Sequence, residues 1–343
     1  MATTWPKALN TTAGPLGDGA TSNLSTTREP QFVVHGTRLY YPAVTTTALA
    51  SFPTGSVGAG CLDLLTQTNC SYVPLQGLTD TPGALNVNGL GGFVRSGNNA
   101  YGVSTAGQVL CFRLTSRKAC PNQPFTTGVP ANPVAAEAGR GPSDYFGALN
   151  VIDKNRVFIA ATNPTSLSCV DTKHHRPCQG WETAKRVGTT RSLLADAVYP
   201  AYTTKGQVEG ICVTTATDDP TDNTTTDCFR PDGRPLHPTV GSIFPTTGTI
   251  AVIMNPTTLT HDGNPRSYFP YSTSDQTYTG HTLCHDWATR TRCTGFPPAA
   301  GHPTVNAGRT YDYNYTPNRG CLLGLGDSGW LFSINPTTGT TPC

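Results

Sequence analysis

The chain of 343 residues contains little charge, almost no methionine and no long apolar run. Only 13% of its residues are Asp, Glu, Lys or Arg, and the formal net charge is +2. This balance indicates neither a nucleic acid nor an acidic partner. No stretch approaches the ~20 apolar residues of a membrane-spanning helix, so we expect no membrane span.

A secretion signal is also absent from the first residues. The segment Met1–Pro6 has neither the basic region nor the apolar region that directs secretion. The chain nevertheless contains 12 cysteines, and chains rich in paired cysteines belong to oxidising compartments. We therefore expect a secreted or cell-surface domain, present here as a mature fragment or as a piece of a longer secreted chain.

Glycine, proline and threonine are abundant. The chain has 36 glycines and 29 prolines, which are the residues that turns require. Many turn residues together with β-branched threonine favour short strands over long helices. The length suits one large all-β domain or two smaller ones.

The cysteines recur at a fixed spacing of eight intervening residues. The four equal pairs are Cys61/Cys70, Cys111/Cys120, Cys169/Cys178 and Cys284/Cys293; Cys212/Cys228 encloses a longer polar segment, and Cys321/Cys343 remain. In a hairpin with a two-residue turn, residues i and i+9 lie opposite each other, close enough for a disulfide. Because the spacing is not that of a zinc site, we predict six disulfides, of which the last follows from arithmetic alone.

Each cysteine pair belongs to a unit of short strands joined by turns. Six units can be marked, at 31–75, 87–125 and 144–181, and beginning near 193, 242 and 310. The N-terminal Thr4-Trp5-Pro6 also continues the phrase that follows the second cysteine elsewhere, while the last residue is Cys343. The pattern predicts an all-β, six-bladed β-propeller over residues 1–343, with residues 1–30 completing the last blade. Seven blades or two β-sandwiches are the alternatives.

The repeated phrase resembles that of a known group of propellers. Asp63, Asp171 and Asp286 lie two residues after the first cysteine, and Thr66, Thr115 and Thr289 lie near the turn. The phrase is similar to the repeats of secreted bacterial PQQ-like and WD40-like propellers, of which cysteine-paired versions occur in actinobacterial surface proteins. Quinone-site residues and the docking tryptophans of the group are missing here. Such propellers include dehydrogenases, lectins and scaffolds, so the resemblance implies a fold and no particular activity.

Two phrases indicate chemistry when they are taken alone. The Gly-Asp-Ser-Gly phrase at 326–329 matches the nucleophile phrase of serine proteases, but no matching histidine segment accompanies it and the repeat requires a turn here. His174 and His175 are adjacent, and adjacent residues of a strand point to opposite faces, which disfavours a shared metal ion. We therefore assign no catalytic residue and expect a non-enzymatic protein.

Two loops are candidate binding sites. One is the acidic loop of Asp218, Asp219, Asp222 and Asp227, whose oxygen ligands suit Ca²⁺ but whose spacing also fits a solvated loop. The other is the insertion 261–280, whose rings either contact a sugar or a protein or pack in the core. Its predicted ligand-binding residues are Tyr268, Phe269, Tyr271 and Tyr278.

These expectations favour a non-enzymatic extracellular module for interaction or scaffolding, within a surface assembly or filament. A carbohydrate-binding propeller lectin is the first alternative, and a secreted hydrolase or lyase is the second. The expected partner is a protein or a glycan at the extracellular surface, with a homo-oligomer as a further option. We expect no cofactor other than Ca²⁺.

Overall fold

The computed structural model contains β-strands and no helix in the part of the chain that it describes. That part comprises residues 7–8, 24–25, 31–45, 56–66, 68–79, 92–104, 107–125, 127–129, 149–153, 155–161, 165–188, 192–217, 225–236, 243, 250–253, 256–273, 280–296, 300–301, 314–318, 320–325, 330–340 and 343. It holds no helix that could cross a membrane. The prediction of an all-β fold is confirmed, whereas the propeller architecture and its blade number stay predictions.

The chain packs into two compact units. The N-terminal unit is Leu9–Arg186. The C-terminal unit is Val187–Cys343 together with Met1–Ala8, which contains strand β1 (Lys7–Ala8). The described strands of each unit form three antiparallel sheets, which we number one to six in chain order.

The N-terminal unit holds the first three sheets. The first sheet contains β2 (Leu24–Ser25), β3 (Val33–His35), β4 (Arg38–Thr45), β5 (Ser56–Asp63) and β6 (Asn69–Thr79). The second contains β7 (Val94–Ser96), β8 (Asn99–Val103), β9 (Val109–Arg113) and β10 (Lys118–Ala119). The third contains β11 (Leu149–Asp153), β12 (Arg156–Ala161), β13 (Ser166–Asp171), β14 (Arg176–Pro177) and β15 (Lys185–Arg186).

The C-terminal unit holds the other three sheets. The fourth sheet contains β16 (Ser192–Tyr202), β17 (Val208–Thr217) and β18 (Thr225–Phe229). The fifth contains β19 (Ile250–Ile253), β20 (Thr257–His261), β21 (Asn264–Thr273), β22 (Gly280–Asp286), β23 (Thr291–Arg292) and β24 (Ala300–Gly301). The sixth contains β1 with β25 (Asn314–Asn318), β26 (Cys321–Leu325) and β27 (Trp330–Ile334).

The N-terminal segment is divided between two sheets. Strand β1 pairs antiparallel with β27, so a strand from the start of the chain joins the sheet of its last strands. Strand β2, by contrast, pairs with β4 in the first sheet. The expectation that residues 1–30 as a whole complete the last blade is therefore wrong for Leu24–Ser25.

Consecutive sheets within a unit pack face to face. In β9, Leu110 and Phe112 belong to the core that the second sheet shares with the first, whereas Val109 and Cys111 belong to the core shared with the third. Neighbouring residues of a strand point to opposite faces, so a sheet that is covered on both sides needs apolar residues in succession. This explains the unbroken apolar run of Val109–Phe112.

Tyrosines between the sheets add polar contacts to this packing. Tyr101 lies opposite Cys111 in the second sheet, and its hydroxyl donates to the carbonyl oxygen of Thr172 in the third sheet at 3.3 Å. In the C-terminal unit, the hydroxyl of Tyr268 in the fifth sheet donates to the carbonyl oxygen of Pro336 in the sixth at 2.8 Å. Both acceptors lie in the turn after the third strand of their sheet, so these bonds tie each turn to the sheet before it.

Candidate binding surface

The structure joins all the cysteines in six disulfides. They are Cys61–Cys70, Cys111–Cys120, Cys169–Cys178, Cys212–Cys228, Cys284–Cys293 and Cys321–Cys343. The four pairs with a separation of nine have Cα atoms 5.0 to 5.4 Å apart, as expected for opposed residues in a hairpin. Six disulfides suit an oxidising environment.

The turn inside the nine-residue pairs is longer than expected. In the second sheet Arg113 lies opposite Lys118, so four residues form the turn. The fourth of them has a left-handed backbone, with φ of 54° at Arg117, and the equivalent residues His175 and Arg290 have φ of 53° and 57°. The predicted two-residue turn is therefore wrong. The cysteines still face each other, because the two extra turn residues replace one residue of each strand.

Two disulfides occupy other places in their sheets. Cys212 and Cys228 lie directly opposite each other on β17 and β18, ahead of the turn after β18. That turn brings Leu236 back along β18, where its N–H donates to the carbonyl oxygen of Cys228 at 2.9 Å. Cys321 begins β26, and its partner Cys343 lies beyond the turn after β27. These two disulfides therefore join strands that the other four leave unjoined.

Aspartates of the repeated phrase hold the turns. Asp63 Oδ1 accepts hydrogen bonds from the backbone N–H groups of Leu65 and Thr66, at 2.9 and 3.1 Å. These bonds hold the pKa of the Asp63 carboxyl below its usual value, and the bond from Thr66 has the largest effect. Three other side chains accept equivalent bonds from backbone N–H groups: Asp171 from Lys173 and His174, Asp286 from Ala288, and Asn335 from Thr337 and Thr338. The aspartates are thus structural acceptors of the kind that fixes Asx turns.

An arginine on the preceding strand lies opposite each of these aspartates. The pairs are Arg38/Asp63, Arg156/Asp171 and Arg266/Asp286. In the fifth sheet, Arg266 Nε donates to Asp286 Oδ2 at 2.9 Å, and the two side chains are only 16% and 9% exposed. This pairing is not among the features predicted from the sequence, although an arginine near the start of the strand before each Cys-x-Asp phrase signals it.

The second sheet departs from this pattern. The residue two positions after Cys111 is Arg113, and the residue opposite it on β8 is Asn99. An arginine side chain has no acceptor for the turn N–H groups, so this turn lacks the Asx bonds of the others. On its other side Arg113 lies opposite Lys118, and like charges in directly opposed positions destabilise a strand pair. We therefore expect this turn to be less stable than the equivalent turns, and it carries more positive charge.

Five basic side chains lie at the turns of the second and third sheets, and we call them the basic turn surface. They are Arg113, Arg117, Lys118, Lys173 and Arg176. Arg117 is half-exposed and the other four are exposed. None of the five forms an ion pair with a carboxylate of the described residues. Asp171, which lies opposite Arg176, is bound instead by His174, whose Nδ1 lies 2.6 Å from Asp171 Oδ2.

Hydrogen bonds link the two basic turns. The N–H of Leu114 donates to the carbonyl oxygen of Asn98 at 2.8 Å, and the hydroxyl oxygens of Ser96 and Thr172 lie 3.4 Å apart. The N–H of Thr172 then donates to the carbonyl oxygen of Asn155 at 2.7 Å. Because Ser96 ends β7 and Asn98 lies in the turn between β7 and β8, this chain of bonds places both basic turns at the same end of their sheets.

The adjacent histidines have separate structural roles. His174 binds the Asp171 carboxylate, whereas the ring of His175 stacks on that of Phe125 with centroids 3.6 Å apart. Burial lowers the pKa of His175. Within the described ranges, no group of three or more His, Cys, Asp or Glu side chains is arranged to hold a metal ion.

The structure corrects the predicted aromatic binding site. Tyr268 and Phe269 are 0% exposed: Tyr268 belongs to the core shared with the sixth sheet, and Phe269 packs edge-on against Tyr199 of the fourth sheet at 5.0 Å. The predicted ligand-binding role is wrong for these two residues, because their rings fill the space between sheets. Tyr271 is half-buried beside the same core as Phe269, and Tyr278 lies outside the described residues.

The segment 261–280 is also not the interrupting loop that the sequence suggested. His261 ends β20, and β21 begins at Asn264 after a two-residue turn of Asp262 and Gly263. Both turn residues have positive φ, 50° and 81°, as the favoured two-residue hairpin turn requires. The described part of the insertion is therefore the end of β20, a tight turn, the whole of β21 and the first residue of β22.

The remaining candidates lie largely outside the described residues. Asp227 of the acidic loop is described, and its Oδ2 accepts a hydrogen bond from the N–H of Gly188. Asp218, Asp219 and Asp222 lie outside the described ranges, as does the phrase at 326–329. The calcium hypothesis therefore stays a prediction.

Comparison with known proteins gives no family. No protein-family model matches the chain, and no curated protein matches it. One similar solved structure is a computationally designed protein, with 10% identity, a TM-score of 0.43 and coverage of 95% of this chain and 74% of that one. Another is a proposed 6-phosphogluconolactonase from Bacteroides uniformis, with 13% identity, a TM-score of 0.47 and coverage of 89% and 80%. Neither likeness is close enough to support an argument about this chain.

Proposed function

We propose that the protein is a six-bladed β-propeller that acts as a non-enzymatic extracellular interaction module. The six described sheets, each made mainly of consecutive strands and each carrying one disulfide, support the blade number. Face-to-face packing of consecutive sheets within each unit, and the pairing of β1 with β27, agree with radial repetition. The six disulfides support a secreted or cell-surface location.

The interaction role is supported by the different uses of charged side chains at the turns. Turn aspartates such as Asp63 and Asp286 accept backbone hydrogen bonds, and Asp286 also forms an ion pair with Arg266, which is a structural use of titratable groups. The other exposed charged side chains at the turns after β9 and β13 are basic, and rigid sheets hold them in place. Charged side chains on loops fixed by a rigid scaffold are typical of recognition surfaces.

Two measurements on the purified, oxidised chain test this proposal. The first is sedimentation velocity from 1 to 100 µM, on the order of the affinities of transient interactions. The second is a glycan array that includes neutral and acidic sugars. Self-association or glycan binding in these ranges supports an interaction module. A chain that stays monomeric and binds no glycan, but turns over an ester, lactone or glycoside substrate, contradicts it in favour of the hydrolase alternative.

A further inference from the structure

We propose that the basic turn surface binds an acidic polysaccharide. This inference rests on the proposed function, since it names the partner class of the same module. The ligand class follows from the chemistry of the surface: three guanidinium groups and two ammonium groups offer hydrogen-bond donors and positive charge and no acceptor. Guanidinium groups bind carboxylates or sulfates through two parallel hydrogen bonds, which favours a polymer that repeats such groups.

Arg113 is an exception to the aspartate that other sheets place two residues after the first cysteine. Three other sheets place an aspartate at this position, where it fixes the turn and faces an arginine. The second sheet instead places Arg113 opposite Lys118. A local choice that lowers stability without a structural gain is expected at a functional site. The nearby disulfide Cys111–Cys120 keeps this hairpin closed despite the repulsion.

The second argument is the availability of the charges. Arg113, Lys118, Lys173 and Arg176 are exposed, and none forms an ion pair within the described part of the chain. Within the described part of the chain, an anionic polymer that contacts them therefore has no ion pair to displace. Arg290 of the fifth sheet, at the position equivalent to Arg117, shows the alternative, because it pairs with Glu209 at 3.3 Å.

The basic turn surface favours a polysaccharide over a nucleic acid as its ligand. Proteins that bind single-stranded nucleic acid combine basic grooves with exposed aromatic rings on which bases stack. Among the described residues the exposed large apolar side chain is Leu65, Phe125 is buried and stacks on His175, and the exposed ring of His174 is bound to Asp171. The two basic turns therefore offer charge and hydrogen bonds without an exposed Phe, Tyr or Trp ring, in a chain whose disulfides suit the extracellular space.

The test measures binding of the oxidised full chain to polygalacturonate, dextran sulfate and neutral dextran by calorimetry, at 50 and 500 mM NaCl. We expect binding to one or both acidic polymers and none to dextran, with at least about tenfold weaker binding at the higher salt. The triple variant Arg113→Gln, Lys118→Gln, Lys173→Gln is expected to lose about tenfold in affinity, since each exposed charge contributes about two- to threefold.

The matched control is Lys205→Gln with Arg230→Gln, two exposed basic residues of the C-terminal unit. We expect this control to bind within twofold of the parent chain. Equal losses in the triple variant and the control would overturn the inference, as would no preference for acidic polymers over dextran. Tighter binding of a single-stranded DNA oligomer by tenfold or more assigns the surface to nucleic acid instead. A chain that self-associates but binds neither acidic polymer retains the proposed function and loses this inference.

Discussion

The two units contain the same number of sheets and disulfides, but the disulfides lie at different places in the sheets of the two units. In the N-terminal unit all three disulfides close hairpins of one kind, those that follow β5, β9 and β13. In the C-terminal unit one disulfide does so, Cys284–Cys293, while Cys212–Cys228 and Cys321–Cys343 join other segments. The difference teaches that the disulfide is not tied to one position of the sheet. The four-residue turn, by contrast, recurs after β5, β9, β13, β22 and β27, and only the turn after β18 is one residue shorter among the described sheets.

The sixth sheet shows how the turn persists without its disulfide. Ser333 takes the place of the first cysteine, and Asn335 takes the place of the aspartate two residues later. The N–H of Asn335 donates to the carbonyl oxygen of Thr340 at 2.9 Å, as the N–H of Asp63 does to that of Thr68. Cys343 lies beside this hairpin, where its N–H donates to Ser333 Oγ at 3.1 Å. Hydrogen bonds therefore define the hairpin, and a covalent bond is an addition to it.

Removal of disulfides gives the largest expected difference between the units. A disulfide lowers the entropy of the unfolded chain more when it closes a longer loop. The double alanine variant of Cys321 and Cys343, separated by 22 residues, is expected to lose about 3.4 kcal/mol of unfolding free energy. The matched variant of Cys169 and Cys178, separated by nine, is expected to lose about 2.7 kcal/mol. Urea midpoints of the two variants test the order; a larger loss in the N-terminal unit contradicts it.

The second prediction concerns pH and the buried histidine of the C-terminal unit. Burial lowers the pKa of His285 to about 4 from 6.5, with opposing contributions from Asp286 and Arg290. The unfolded chain therefore binds a proton more readily than the folded chain, so stability is complete above pH 6.5 and falls as the pH drops from 6.5 to about 4. The loss is at most about 3 kcal/mol.

Urea unfolding at pH 7 and pH 4 measures this loss, and His285→Gln is expected to reduce it. The matched control is His174→Gln in the N-terminal unit, because His174 is exposed and its removal leaves the buried site intact. The same pH dependence in the parent chain and in His285→Gln would show that other groups cause it.

The third prediction compares two turn aspartates. Asp286 accepts the Asx bond to Ala288 and also binds Arg266 in a nearly buried pair. Asp286→Ala is therefore expected to cost about 2 kcal/mol, below the full cost of breaking a buried pair because Arg266 retains some exposure. Asp171→Ala in the N-terminal unit removes an exposed Asx turn and is expected to cost about 1 kcal/mol. Asp286→Asn keeps an acceptor for the turn N–H and removes the charge, so it separates the contribution of the Asx bond from that of the ion pair. Equal losses of unfolding free energy in the two alanine variants would contradict this prediction.

The fourth and smallest prediction restores the pattern in the second sheet. Arg113→Asp supplies an acceptor for the turn N–H groups and replaces repulsion of Lys118 by attraction. We expect a gain of about 1 kcal/mol in unfolding free energy, together with weaker binding of acidic polymers. The matched change Arg292→Asp alters the charge of an exposed strand residue in the C-terminal unit and is expected to give no gain. A loss of stability in Arg113→Asp would show that the arginine has a structural role.

The sequence predicts the local features well, because they depend on residues close together in the chain. The separation of nine between cysteines suffices to place Cys61 opposite Cys70, since a short hairpin leaves few other arrangements. The role of the aspartates is also readable, because an Asx turn joins a side chain to the backbone two or three residues later. The four-residue turn was missed because αL residues such as Arg117 carry no sequence signal as clear as glycine.

The candidate site was predicted less well, for a reason visible in Tyr268 and Phe269. A tyrosine next to a phenylalanine in a polar segment looks like an exposed recognition patch. The two rings are instead buried on opposite faces of one strand, against the sixth and the fourth sheets. Whether both faces of a strand are covered depends on the sheets that come before and after it, and no local pattern reports that. The same holds for charge: a net of +2 hides basic residues gathered at two neighbouring turns.

By itself, the sequence determined the all-β class, the hairpins and their nine-residue disulfides, because backbone geometry over ten residues admits few solutions. Only the tertiary structure decided which rings are core, that Arg266 binds Asp286, and that β2 joins the first sheet. These outcomes depend on contacts between segments far apart in the chain. Such contacts are selected by the packing of whole sheets rather than by the preferences of single residues.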